Sequence, residues 1–317
     1  MMSNYKILVT GIGGDIAQSI SKIIKNSGLP AQLIGTDINN NIPWGSFVDD
    51  FYKVPFAYDT SYLLALEDII SKELIDVLIP VTGEEIRVIN DAKVNENWSP
   101  TRIVIAPSHI VNIFLDKLET IKFLAANDIP VPWTKEIECE PTLYPCILKS
   151  KFGSGSKGLT IIEDEEDLKY FRSKRKGWIL QELLLPHDEE YTCGVYSNDG
   201  QNIYVIVLKR VLKGGITGVA EVVYDEEIIK LCKRIGNFID LKGSINIQLR
   251  RTPQGPVIFE VNPRFSSTAI FRDHFGFKDV IWSIMDALAM QHEVKFNYKE
   301  IIGRKFYRIY SEIFTKS

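Results

Sequence analysis

The 317-residue sequence has little cysteine, no long apolar run and no excess of basic residues. Its four cysteines lack the paired spacing of a zinc site, so we expect buried free thiols in a reducing cytosol. No uninterrupted apolar stretch approaches the roughly 20 residues that span a bilayer, which predicts no membrane partner. The net charge is −4 with acids and bases interspersed, which argues against a nucleic-acid partner.

The beginning of the sequence also lacks the charged and then apolar segments of a secretory leader, so a cytoplasmic protein is expected. The composition, with 45% hydrophobic and 25% charged residues, is instead that of an ordinary globular protein. A chain of this length suits two or three compact units.

The first third of the chain alternates strand-like and helix-like segments, which predicts an α/β fold with a parallel, doubly wound sheet. Gly11 and Gly13 follow the first strand-like run, and Asp37 ends the second. This pattern is typical of a dinucleotide site, but its third glycine is replaced by Ile16. NAD binding and a tight turn without a ligand are both open interpretations.

The segment PVTGEE at 80–85 follows another strand-like run. Its Thr82, Glu84 and Glu85 are candidate ligand contacts. The same residues suit the beginning of a helix, with threonine as the N-cap and acids in the first turn. The sequence leaves both interpretations open.

The segment KSKFGSGSKG at 149–158 lies between two strand-like runs, which predicts the loop of a hairpin and not a linker between domains. Its glycines allow backbone N–H groups to point inward as in a phosphate cradle, and its three lysines add positive charge. It is not a Walker-type loop, because Leu159 stands where that motif needs lysine. A hairpin loop without a ligand is the alternative.

A second hairpin is predicted within residues 243–268, where a turn joins two strand-like runs. Glu260 and Asn262 lie two residues apart and therefore share one face, with Phe259 on the opposite face. Gln248 reaches the same face from the neighbouring strand. Carboxylate and amide oxygens grouped in this way suit Mg²⁺ that holds phosphates.

Arg264 directly follows this strand and is suited to hold a carboxylate or phosphate through two hydrogen bonds. A structural ion pair between Glu260 and Arg264 is the alternative. Residues 209–223 suggest a long polar loop, either a lid over a substrate or a loop without function. The candidate substrate contacts are Glu84, Arg210, Lys213, Thr217 and Ser266.

In type and order, these segments resemble the ATP-grasp superfamily, most closely its carbamoyl-phosphate-synthase-like and biotin-carboxylase-like branch. The motifs that carry the resemblance are LDK at 115–117, ILKSKFGSGSKG at 147–158, QELL at 181–184 and VIFEVNPR at 257–264. The resemblance implies a Rossmann-like N-terminal domain at 1–106, which in this family usually binds no dinucleotide. It also implies a two-lobed ATP-grasp module, with a small lobe carrying the glycine loop and hinge at 107–185 and a C-terminal lobe carrying the metal site at 186–317.

The resemblance also implies roles for individual residues. Lys149 and Arg264 would be catalytic. The metal ligands would be Gln248, Glu260 and Asn262, holding two Mg²⁺ ions for which Mn²⁺ can substitute, although Gln248 is neutral where relatives often have an acid. The ATP-binding residues would be Lys117, Lys149, Ser154, Gly155, Ser156, Gly158, Glu182, Leu184 and Glu190, with Glu182 and Leu184 at the adenine and Glu190 at the ribose.

The implied activity is that of a ligase for a carbon–nitrogen bond. A small-molecule carboxylate attacks the γ-phosphate of ATP to give an acyl phosphate and ADP, and an amine then displaces phosphate. The identities of the carboxylate and the amine stay open, as does the oligomeric state, with a homodimer among the alternatives. Two other functions also stay open: an NAD-dependent Rossmann oxidoreductase or epimerase, and a non-catalytic ATP-binding regulator.

Overall fold

The structure is a computed structural model that describes residues 4–92, 94, 98–153, 158–309 and 311–314. Its strands form three sheets with five, four and six members. The predicted boundaries between domains stay a prediction. Within the described ranges, no helix combines the length and the apolar character needed to cross a bilayer.

The first sheet is parallel, as predicted, with strands in the order β3-β2-β1-β4-β5. Its strands are β1 (Tyr5–Val9), β2 (Ala31–Asp37), β3 (Asp50–Lys53), β4 (Val77–Ile79) and β5 (Arg102–Ile103), and its helices are α1 (Asp15–Asn26), α2 (Tyr62–Glu73) and α3 (Gly83–Asp91). Successive residues of β1 pack on opposite faces, with Ile7 and Val9 in the cluster that contains α1 and Leu8 in the cluster that contains α2. Both faces are therefore covered, as in other parallel sheets.

Two helices, α4 (Ser108–Phe114) and α5 (Lys117–Ala126), lead to the second sheet. This antiparallel sheet has the order β6-β9-β7-β8, from strands β6 (Thr134–Glu136), β7 (Cys146–Ser150), β8 (Thr160–Ile162) and β9 (Trp178–Glu182), with α6 (Glu165–Arg172) between β8 and β9. The hairpin predicted around the glycine-rich segment is present as β7 and β8, with Cys146 opposite Ile162.

The third sheet is antiparallel and has the order β14-β13-β10-β11-β12-β15. Its strands are β10 (Glu190–Ser197), β11 (Tyr204–Lys213), β12 (Ile216–Val222), β13 (Gly243–Thr252), β14 (Gly255–Asn262) and β15 (Lys305–Tyr307), and its helices are α7 (Glu226–Phe238), α8 (Ala269–His274) and α9 (Asp279–Ala287). The predicted hairpin within residues 243–268 is present as β13 and β14.

Two expectations about local structure are corrected here. The segment 209–223 is not a long loop, because β11 and β12 form a hairpin whose turn, Gly214–Gly215, has φ values of +62° and +81°. Of the four cysteines, Cys139 is exposed, and only the other three are the buried free thiols that were expected.

Candidate functional site

A cavity of about 530 Å³ lies between the second and third sheets and reaches the glycine turn after β1. Its volume falls in the range of small-molecule sites. Ten of the residues predicted to form the site line it: Glu84, Lys117, Lys149, Glu182, Leu184, Glu190, Arg210, Gln248, Glu260 and Arg264. Lys149 and Glu260, from two different hairpins, therefore face one cleft.

Lys149 contributes a buried amine to the centre of this cleft. It is 9% exposed, and its Nζ donates a 3.4 Å hydrogen bond to the carbonyl of Phe259. Burial lowers the pKa of Lys149 to about 8, an effect that Glu260 opposes and Lys117 reinforces. The amine is therefore a cation that the folded protein holds with little solvation.

Glu260 is the central carboxylate of the cleft. Burial alone raises the pKa of Glu260, but neighbouring positive charges outweigh it and hold the pKa below its ordinary value. These charges are Lys117, Lys149 and Arg264, which we call the Glu260 cation cluster. A hydrogen bond of 3.0 Å from the side-chain amide of Asn262 adds to their effect. Glu260 is therefore ionised, with three cations around it.

The register of the second hairpin places Gln248 opposite Glu260 and Asn246 opposite Asn262, so the predicted cross-strand neighbours are confirmed. The prediction that Phe259 lies on the opposite face is wrong, because a β-bulge after Gln248 leaves Phe259 as an extra residue. Phe259 consequently lines the cleft, and its ring centroid lies 5.8 Å from Nζ of Lys149.

Asn262 borders a smaller adjoining cavity, which it shares with Lys117, Gly153, Glu260 and Arg264. Because its amide nitrogen donates to Oε1 of Glu260, its amide oxygen is left as an acceptor. An amide oxygen and a carboxylate thus lie side by side at this point. Such hard oxygen ligands fit Mg²⁺, which takes few ligands from the protein when phosphates supply the others.

The side-chain oxygen of Gln248, predicted to bind metal, already accepts a hydrogen bond from within the protein. Its Oε1 accepts a 2.7 Å hydrogen bond from Nη2 of Arg210. The same guanidinium donates to Oε1 of Glu190 through Nε at 3.0 Å and Nη2 at 2.7 Å, and Arg250 donates to the other oxygen of Glu190. We call Glu190, Arg210 and Arg250 the Glu190 cluster. Both oxygens of the predicted ribose-binding acid are therefore already paired.

The predicted hinge forms one end of the cleft. Glu182, at the end of β9, accepts a hydrogen bond of 3.2 Å from the backbone N–H of Trp133. The carbonyl of Leu184 accepts a 2.7 Å hydrogen bond from Nη1 of Arg250, which joins the hinge to the Glu190 cluster. Ile147 and Leu184 supply apolar surface there, as a flat heterocyclic base requires.

Four of the predicted site residues do not line the main cleft or the adjoining cavity. Thr217 is fully buried and Lys213 is exposed near the β11–β12 turn. The hydroxyl of Ser266 is bonded to Thr268 and Arg272 in a buried network. Gly158 lies beside Trp178 with φ +78°. The predicted ATP contacts Ser154, Gly155 and Ser156 lie outside the described residues.

The turn before α3 was interpreted either as a set of ligand contacts or as the beginning of a helix, and the structure supports each for part of the turn. Thr82 and Glu85 form a capping box, so the helix-start interpretation accounts for them. Glu85 is buried and also accepts hydrogen bonds from the hydroxyls of Thr10 and Tyr62. Thr82 and Glu84 both line the cleft, whereas Glu85 does not.

The side chain of Asp37 stabilises the glycine turn after β1. Oδ2 of Asp37 accepts a 2.8 Å hydrogen bond from the backbone N–H of Gly13, and Oδ1 accepts one of 2.9 Å from Asn39. A side chain at Gly13 would approach Oδ2 to 3.0 Å. The acid needed for a ribose in the dinucleotide interpretation is therefore used to close the turn.

Two charged residues of the cleft, Arg250 and Asp15, were missed from the sequence. Arg250 carried a signal, since it lies two residues after Gln248 on the same face of β13. Asp15 lines the cleft and is paired with Nη1 of Arg308 at 3.3 Å. No local pattern could have joined these two residues, because nearly the whole chain separates them.

One protein-family model matches the segment that forms most of the cleft. Residues 114–268, which include the Glu260 cation cluster and the Glu190 cluster, match the ATP-grasp domain. They form an ATP-grasp domain. The expected resemblance is thereby confirmed for the segment that carries Lys117, Lys149 and Glu260.

Curated relatives extend the likeness on both sides of the ATP-grasp domain. A formate-dependent phosphoribosylglycinamide formyltransferase of Ignicoccus hospitalis is 25% identical over 300 residues, covering 84% of this chain and 71% of the transferase. The carbamoyl phosphate synthase large chain of Clostridium botulinum is 24% identical over 148 residues, covering 41% of this chain and 14% of the synthase. The chain thus spans only a small part of the synthase.

Solved structures share the fold around the ATP-grasp domain. An N5-carboxyaminoimidazole ribonucleotide synthetase in its ADP complex matches with a TM-score of 0.73 at 17% identity, covering 93% of this chain and 80% of that one. A biotin carboxylase domain dimer from Hydrogenobacter thermophilus, with magnesium ADP and bicarbonate, matches with a TM-score of 0.70 at 14% identity, covering 95% and 73%. These matches confirm the predicted mixed fold.

Proposed function

We propose that this chain is an ATP-dependent ligase that activates a small-molecule carboxylate as an acyl phosphate for attack by an amine. The observation that carries the proposal is the meeting of Lys149 and Glu260 in one cleft. Lys149 comes from β7 of the second sheet, and Glu260 comes from β14 of the third sheet. One relative is a formate-dependent phosphoribosylglycinamide formyltransferase. Formate is a small carboxylate, and this name therefore supports a carboxylate substrate for this chain.

In this proposal the Glu260 cation cluster and the backbone near Gly153 bind the phosphates of ATP. Lys117 already donates a 2.7 Å hydrogen bond to the carbonyl of Gly153, so it stands at the beginning of the glycine segment. Glu182 and Leu184 would contact the adenine. Glu190 would reach the ribose only after giving up part of its pairing with arginine.

A divalent cation fits beside Glu260 and Asn262, where a carboxylate and an amide oxygen meet. When bound, it would neutralise part of the charge on the phosphate oxygens. ADP and magnesium ADP are named in the structural relatives. The choice of Mg²⁺ for this chain is part of the proposal.

The reaction proceeds by two displacements. A carboxylate oxygen of the substrate attacks the γ-phosphorus, and the bond to the β,γ-bridging oxygen breaks to release ADP. The amine nitrogen then attacks the acyl carbon, the bond from carbon to the phosphate oxygen breaks, and nitrogen loses a proton. Lys149 and Arg264 stabilise the negative charge that shifts to oxygen in the first step. Positioning and fixed charge of this kind account for most of the catalysis of phosphoryl transfer.

The decisive experiment is a screen for ADP and phosphate release. The protein is incubated with ATP and Mg²⁺ and one carboxylic acid at a time, with and without a mixture of amines. We expect ADP formation that depends on one class of acid. Added hydroxylamine should trap the acyl phosphate as a hydroxamate.

The matched variants are Glu260→Gln and Glu226→Gln, because Glu226 is a carboxylate on the exposed side of α7, paired with Lys230. The first should abolish acid-dependent ADP release with the fold intact, and the second should leave it unchanged. Near-normal turnover by Glu260→Gln would contradict the proposal. ATP binding without turnover for any acid would favour a regulator, and binding of NAD would favour the oxidoreductase.

A further inference from the structure

Arg210 places a permanent cation beside an oxygen that was expected to bind metal. Its Nη2 lies 2.7 Å from Oε1 of Gln248. Both side chains line the cleft, and Arg210 is only 9% exposed. Arginine does not lose its proton in proteins, so this charge is present at every relevant pH.

The guanidinium is also held firmly in this position. Glu190 receives two of its N–H groups on one oxygen, and Arg250 occupies the other oxygen of the same carboxylate. Arg250 in turn is fixed to the carbonyl of Leu184. A shift of Arg210 away from Gln248 would therefore disturb the whole Glu190 cluster.

A divalent cation ligated by Gln248 would stand next to this guanidinium inside the cleft. Repulsion between like charges is strong where solvent is excluded. The neutral amide oxygen has already given one lone pair to Arg210, and it offers no negative charge to compensate. Glu260 and Asn262 are different, since no hydrogen bond from an arginine reaches their side-chain oxygens within the described residues.

Arg210 also retains a donor for a ligand. Its Nη1 makes no hydrogen bond to any residue in the described part of the chain, although Nε and Nη2 are both used. A phosphate oxygen is the natural acceptor for a guanidinium N–H that faces a cleft. The residue can therefore supply positive charge to a nucleotide without a metal.

We propose that Arg210 takes the place of a second divalent cation. A single ion binds at Glu260 and Asn262, while Gln248 orients Arg210 and does not ligate metal. This inference rests on the proposed function, because it requires a nucleotide that binds together with a metal.

The number of ions is measured directly. Mn²⁺ is titrated into the full chain with a saturating non-hydrolysable ATP analogue, and free Mn²⁺ is followed by electron paramagnetic resonance. We expect a plateau of one ion for each chain with its nucleotide. A plateau of two in the unmodified protein would overturn the inference.

Variants identify the cause of the plateau. Arg210→Gln frees the oxygen of Gln248 and one oxygen of Glu190, and it should raise the plateau to two. Arg210→Lys keeps a cation at this point and should keep a plateau of one, as should Lys209→Gln, which removes an adjacent lysine that pairs with Glu189 outside the cleft. A plateau of one for Arg210→Gln would show that Arg210 is not responsible.

Gln248→Ala gives an independent test that does not need a folded Arg210→Gln protein. It should leave the affinity for Mn²⁺ unchanged, whereas Asn262→Ala should weaken it. Weaker Mn²⁺ binding by Gln248→Ala would overturn the inference. Calorimetry of the analogue separates the two proposals: absence of nucleotide binding refutes the proposed function, and nucleotide bound with two ions refutes only the single-ion site.

Discussion

Replacement of Lys149 by methionine should make the folded protein more stable while it weakens nucleotide binding. The amine is nearly buried, and its single hydrogen bond within the described residues, to the carbonyl of Phe259, is a long 3.4 Å. Methionine has a similar length and no charge to desolvate. The variant therefore removes a cation that the ligand-free cleft solvates poorly.

The size of the effect follows from the pKa of Lys149. Burial lowers this pKa from 10.5 to about 8. Because one pKa unit is worth about 1.4 kcal/mol, charging Lys149 in the folded state costs about 3 kcal/mol at pH 7. This cost already includes the attraction between Lys149 and Glu260, which opposes the effect of burial.

The pH dependence gives the sign of the effect. Below pH 8 the lysine is protonated in both the folded and the unfolded state, so the folded state bears the whole cost. As the pH rises from about 8 towards 10.5, folded Lys149 loses its proton while the unfolded chain still holds it. The cost should fall to about 1.4 kcal/mol at pH 9.5.

Urea denaturation of both proteins at pH 7 and pH 9.5 measures these differences in the free energy of unfolding. The matched control is Lys151→Met, because Lys151 is paired with Glu136 at 2.6 Å and has its pKa raised by that hydrogen bond. That variant should lose a little stability or none. A Lys149→Met protein that is less stable than wild type, or equally stabilised at both pH values, would refute the reasoning.

Two further predictions concern the protonation of Lys149 when a nucleotide binds and the packing of Gly194 against Arg272. At pH 8.5, binding of the ATP analogue should take up a proton at Lys149, because phosphates raise its pKa; calorimetry in two buffers of different ionisation enthalpy measures this uptake, and Lys149→Met should show none. Gly194→Ala should lower the free energy of unfolding by about 1–3 kcal/mol, since the new Cβ would lie 2.7 Å from Cδ of the fully buried Arg272. Gly45→Ala, with no atom within 4 Å of the new Cβ, is its control in denaturation experiments, and equal stability of the two variants would contradict the packing argument.

The buried strands of the first sheet could be predicted from the sequence, whereas its edge strands could not be predicted as they are. The parallel sheet was expected because β1, β2 and β4 are buried runs followed by turn residues. Strand β3 (Asp50–Lys53) was missed because it lies at the edge of the sheet, where its half-exposed residues show no alternation. The apolar segment at 101–106 predicts a strand of six residues, but only Arg102–Ile103 form β5, at the opposite edge of the sheet.

The site was predictable where a hairpin turn sets the register. Gln248 and Glu260 were expected to meet because the turn between them fixes which residues face each other. Phe259 was placed on the wrong face because a strict period of two does not anticipate a bulge. The direction of Thr217 is likewise set by the packing of β12 against its neighbours, which the sequence of the hairpin does not reveal.

The two charge clusters of the cleft point to the same ligand by different means. The Glu190 cluster satisfies its carboxylate internally and leaves one positive charge, held rigidly by hydrogen bonds. The Glu260 cation cluster surrounds one carboxylate with three cations and leaves two positive charges, one of which, on Lys149, is destabilised by burial. An excess of buried positive charge lowers stability unless an anion binds. In the proposed function, a polyanion that brings one divalent cation of its own would satisfy both clusters, because the metal would bind at the single carboxylate and the phosphates would pair with the cations.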